Sequence, residues 1–78
     1  MAIVTGFEKL TTKKPRLHPT EVICYWSILP DQGFGLLLQI DTVGSKDREI
    51  PGKQSQTLQL NVNSAHELYQ ILKTEFGF

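Results

Sequence analysis

A chain of 78 residues holds one domain, and its eight basic and eight acidic residues give a formal net charge of zero. That balance excludes a generic polycation that coats nucleic acid or anionic membrane, and 40% hydrophobic residues suffice for one modest core. A single cysteine excludes an internal disulfide, and no apolar run approaches the roughly 20 residues that span a bilayer.

The first segment, "MAIVTGFEKLTTKK", lacks the order of basic, apolar and small-residue regions found in a signal peptide. The expectation is a soluble, cytoplasmic protein. "AIVTGF" has room for a short strand. The stretch "EKLTTKKPRLHP" is polar and basic, and Pro15 and Pro19 each remove an amide donor and restrict the residue before them. Residues 1–19 are therefore read as an extended basic arm, and residues 20–78 as a sheet-plus-helix domain. Lys9, Lys13, Lys14 and Arg16 follow one another with no acid between them, so the neutral total conceals local polarity.

"TEVICYWSIL" predicts the first long strand, rich in β-branched and aromatic residues. Its alternation places Cys24 and Trp26 on the expected core face and Tyr25 on the other, with Cys24 a reduced, buried thiol. "PDQGFG" is a turn signal, and "LLLQIDTV" predicts a second strand antiparallel to the first. Leu36, Leu38 and Ile40 fall on one of its faces, and Leu37, Gln39 and Asp41 on the other. "GSKDREIPGK" interrupts the pattern. "SQTLQLNV" restores it, with Leu58, Leu60 and Val62 inward and Ser55, Thr57, Gln59 and Asn61 outward. "NSAHELYQILKTEFG" predicts a helix opened by a capping box of Ser64 with Glu67. Ala65, Leu68, Ile71, Leu72 and Phe76 form its apolar stripe, and Gly77 suits the left-handed cap. The fold class is α+β: a small curved antiparallel sheet of three to four strands followed by one C-terminal helix.

The polar stretch from Asp41 to Leu60 admits two readings. Lys46, Arg48 and Lys53 beside Gly44 and Gly52 suit an anion-gripping loop, but Asp47 and Glu49 alternate with them. The spacing of a nucleotide-binding P-loop is absent, and a strand rather than a helix follows Lys53. A plain hairpin turn is the first reading. Gln54 and Gln56, beside Ser55, Thr57 and Gln59, offer uncharged donors and acceptors for sugars, phosphates or base edges, as an ordinary wet sheet face also would. Tyr25 or Trp26 offers a ring on which a base can stack. His18 and His66 lack the partners that a general base or a metal needs, and Asp41, Glu49 and Lys53 lack a nuclease's spacing. The expectation is therefore no enzyme, no metal and no cofactor.

The strings "LHPTEV", "LQIDTVGSKDREIPGKQSQTLQL" and "SAHELYQIL" resemble a small uncharacterised bacterial family that shares an HPTE turn, a Gly-Ser loop with an arginine, and Pro-Gly-Lys before a Ser-Gln strand. That resemblance brings no function. "IPGKQSQTLQLNVNSAHELYQIL" is also similar to the single-stranded DNA-binding domain of the positive-cofactor-four (Whirly-like) type, where a Pro-Gly-basic turn leads into a last strand and a C-terminal helix. By position, Pro51, Gly52 and Lys53 match the turn, Leu58 and Leu60 the strand, and Leu68, Ile71 and Leu72 the helix. This resemblance implies a homodimer formed through Leu68, Ile71, Leu72 and Phe76, binding of single-stranded DNA or RNA, and a role in transcription regulation. Lys13, Lys14, Arg16, Lys46, Arg48 and Lys53 would track the backbone, with Tyr25, Trp26, Gln54 and Gln56 beside it. The chain departs from that family in its zero net charge and in lacking basic residues on the first strand. The alternative is a protein-interaction module, an accessory subunit, regulator or inhibitor of a larger enzyme.

Overall fold

The computed structural model describes residues 1–31, 33, 35–43 and 54–78. Strands β1 (Ala2–Val4), β2 (Cys24–Asp31), β3 (Gly35–Val43) and β4 (Gln54–Leu60) precede one helix, α1 (Val62–Phe76). The strands form one open sheet in the order β1-β4-β3-β2, so the class is α+β. β2 pairs antiparallel with β3, and β3 with β4, as expected from their alternation. The sheet is mixed rather than wholly antiparallel, because β1 lies parallel to β4, with Ala2 opposite Leu58 and Val4 opposite Leu60. A three-residue strand carries no periodic signal of its direction.

Between Val4 and Cys24 the chain has neither helix nor strand, consistent with its two prolines. β2 accordingly begins at Cys24 rather than Thr20. Gly35 opens β3 with φ 81°, a left-handed backbone that a side chain strains.

The helix begins earlier than the Ser64–Glu67 reading places it. Asn61 is the N-cap, and Val62 is the first helical residue rather than an inward strand position. The Ser64 amide donates to Asn61 Oδ1 at 2.8 Å, and the Asn61 amide donates to Ser64 Oγ at 3.0 Å. Two otherwise orphaned amides are thereby satisfied reciprocally, and both residues are buried. Gly77 closes the helix with φ 75°, its amide donating to the Lys73 carbonyl at 3.0 Å.

The core is small. Among the described residues the buried apolar side chains are Leu37, 4% exposed, and Leu60, 2% exposed. The radius of gyration is 14.7 Å, against about 11.5 Å for a compact domain of this length. The described residues of this sheet and helix do not close around one shared interior.

Candidate nucleic-acid interface

Directly paired residues in a sheet share a face, so the register sorts the side chains. One face carries the rows Trp26–Ile40–Leu58–Ala2 and Ile28–Leu38–Leu60–Val4, which cross all four strands and are wholly apolar. The other face carries Tyr25–Asp41–Thr57 and Ser27–Gln39–Gln59–Ile3. The strand alternation makes this separation, and the antiparallel pairing of β3 with β4 aligns it.

On the second face four side chains form a hydrogen-bonded chain. Gln59 Nε2 donates to Gln39 Oε1 at 2.9 Å, and Gln39 Nε2 donates to Asp41 Oδ2 at 3.0 Å. The Thr57 hydroxyl donates to Asp41 Oδ1 at 2.6 Å. These bonds, that from Thr57 first and that from Gln39 second, hold the Asp41 carboxyl below the usual aspartate range. Asp41 is thus an anion at neutral pH, able to accept hydrogen bonds but repelling a phosphate. Thr57 and Asn61, expected to face outward, are buried, while Leu58, expected inward, is exposed. The reason is that Thr57 finds its partner on β3 and Asn61 turns into the helix cap.

Tyr25, directly opposite Asp41, is 61% exposed on this polar face. Trp26 is 72% exposed on the apolar face. The expectation that Cys24 and Trp26 point into a core is overturned, since the free Cys24 thiol is exposed too. Both rings leave the small core, on opposite sides, and they cannot serve one groove. Gln56 is exposed but shares the face of Trp26 and Leu58, not that of Thr57 and Gln59. Gln54 is the first residue of β4. Lys13, Lys14 and Arg16 are exposed in the segment between β1 and β2. Lys46, Arg48 and Lys53, with the Pro51-Gly52 turn, lie outside the described residues. The described strands contain no lysine or arginine.

Of the helix residues assigned to dimerisation, Leu68 and Leu72 are half-buried, whereas Ile71 and Phe76 are exposed. Phe76 stacks on Phe78 with centroids 5.6 Å apart.

His18 takes a local role: its Nδ1 accepts from the Thr20 amide at 3.0 Å, which stabilises the turn before β2. His66 stacks on Tyr69 along the exposed helix surface. Among the described residues no three His, Cys, Asp or Glu side chains are grouped as metal ligands. A shallow cleft where Thr5–Glu8 meet Glu67 is lined by two carboxylates and no cation, which does not suit an anion. No described helix is long and apolar enough to cross a membrane.

The linkage of Gln39, Asp41, Thr57 and Gln59 was invisible strand by strand. Its signal is the pair of strings "LQID" and "TLQL", which match polar to polar only once the chain reverses between them. Comparisons with protein-family models, with curated proteins and with solved structures give no match for this chain.

Proposed function

We propose that the protein is a non-catalytic binding module for single-stranded nucleic acid, acting as a homodimer. The observation that carries this reading is the exposed Tyr25 ring standing on the hydrogen-bonding face of the sheet. Stacking on a ring accepts any base and contributes about 1–3 kcal/mol per base. The neighbouring Ser27 and Gln39 are polar, and the anionic Asp41 accepts hydrogen bonds from base amino and imino groups but not from phosphate. The sugar-phosphate backbone then runs away from Asp41, and the exposed Lys13, Lys14 and Arg16 are the described cations suited to it. The similarity of the turn, last strand and helix to the positive-cofactor-four type adds to this reading.

Anisotropy of a labelled oligonucleotide at low and moderate salt tests it. Salt-sensitive binding that Tyr25→Ala weakens by roughly 5- to 150-fold is the expected result. Affinity indifferent to Tyr25, or no binding at low salt, sinks the idea.

A second reading, a protein-interaction module, is favoured by the apolar rows headed by Trp26 and Ile28. Wholly apolar rows across four strands, with Trp26, Ile28 and Leu58 exposed, suit a protein contact. Retention of binding-competent protein on immobilised oligonucleotide separates the two, since a pure protein adaptor is not retained.

A further inference from the structure

Asp41 fixes the direction of the hydrogen-bonded chain on the polar face. An ionised carboxylate only accepts, so Thr57 must donate to it and Gln39 must turn its amide nitrogen toward it. Gln39 Oε1 is then left for Gln59, which donates at 2.9 Å. Each amide is held in one orientation, and the chain carries an acceptor at each end, the Asp41 carboxylate and Gln59 Oε1.

Asp41 keeps acceptor capacity beyond these bonds, since a carboxylate has about four lone-pair directions. Thr57 takes one on Oδ1, and Gln39 Nε2 takes one on Oδ2 at 3.0 Å with a longer contact of 3.3 Å to Oδ1. Asp41 is only half-buried, which leaves the remainder open to a ligand. Tyr25, directly opposite Asp41, and Ser27, opposite Gln39, are exposed on the same face. Side chains in direct register have Cβ atoms about 5 Å apart, so a planar group resting on the Tyr25 ring can bring its edge to Asp41.

That edge must offer donors. Guanine alone among the common bases sets two of them, N1–H and a 2-amino hydrogen, side by side on its pairing edge, where they match the two oxygens of a carboxylate. Adenine and cytosine place a ring-nitrogen acceptor beside their amino group. Thymine and uracil flank one imino hydrogen with two carbonyls. Each of these brings a lone pair against the Asp41 anion, which a site built from acceptors rejects. Guanine O6, beside N1–H, has the Ser27 hydroxyl as a donor on the same face.

We propose that Asp41 is the specificity-determining residue of this face and that the face selects guanine, stacked on Tyr25 with its N1–H and 2-amino group on the Asp41 carboxylate. This rests on the proposed binding of single strands and adds the base that is read. Because every contact is to the base, the preference holds in whichever sugar series binds.

Anisotropy of the full chain with labelled oligothymidine carrying one central guanine, inosine, adenine or cytosine tests it. The guanine strand should bind roughly 5- to 150-fold more tightly than plain oligothymidine. Inosine keeps N1–H and O6 but lacks the 2-amino group, and should lose most of that gain with the protein unaltered. Asp41→Asn replaces one acceptor by a donor and should bring guanine to the level of thymine, with the fold checked by circular dichroism. Equal affinity for the guanine and thymine strands, or for guanine and inosine, overturns the inference and leaves the proposed function standing. So does a folded Asp41→Asn protein that still prefers guanine. Absence of binding to every strand overturns the proposed function, and this inference with it.

Discussion

The Thr57 hydroxyl on β4 donates to the Asp41 carboxylate on β3 at 2.6 Å, across a pair of residues in direct register. This bond joins a buried hydroxyl to an ionised group and ties the stability of the sheet to the charge of one side chain. Because the Asp41 pKa is lowered on folding, its contribution is fully present above the unfolded aspartate value, about 3.9. It is lost as pH falls through the lower, folded value. Thermal unfolding followed from neutral pH down to strong acid should show this loss below about pH 4, and Asp41→Asn should remove that part of the dependence. An unchanged acid profile in Asp41→Asn contradicts it.

Thr57→Val removes the first cause of the lowered Asp41 pKa while keeping the side-chain shape. The Asp41 carboxyl resonance in a nuclear magnetic resonance titration should move its midpoint up toward the ordinary aspartate range. A midpoint that stays in place would assign the shift to Gln39 instead.

The reciprocal cap of Asn61 and Ser64 makes a sharper claim about the start of the helix than Glu67 does. Asn61→Ala should cost about 1 kcal/mol in denaturant unfolding. Ser64→Ala should cost a similar amount, and the double variant less than the sum, because one reciprocal pair is lost either way. Glu67→Gln should stay within about 0.5 kcal/mol, as for an ordinary surface change.

Gly77 sits at φ 75° with nothing within 4 Å of where a Cβ would project. Gly77→Ala therefore meets no clash, and its cost is the left-handed backbone alone, about 1 kcal/mol. A neutral result would mean that the last turn unwinds freely.

Replacing Lys13, Lys14 and Arg16 together by glutamine tests the backbone-tracking role of the arm. If all three contact phosphates, the slope of log affinity against log salt should become shallower by about 2. An unchanged slope assigns the electrostatic contribution to other cations.

The sequence by itself determined the long strands, the helix and its left-handed cap. Each is written in a local period: alternation for β2, β3 and β4, a 3.6-residue stripe for α1, and a glycine where only positive φ fits. Local pattern could not decide which capping residue wins, since Asn61 and Ser64 each precede a plausible partner three positions on. The outcome depended on where β4 stops. Nor could it decide which faces are covered. Alternation says that Trp26 and Tyr25 oppose each other, but cover depends on how one short helix lies across four strands, and among the described residues its main contacts are with β3 and β4. The parallel placement of β1, and the meeting of Asp41 with Thr57, likewise arise from contacts between residues distant in the chain. Such contacts are fixed by pairing geometry, on which no single stretch of sequence carries information.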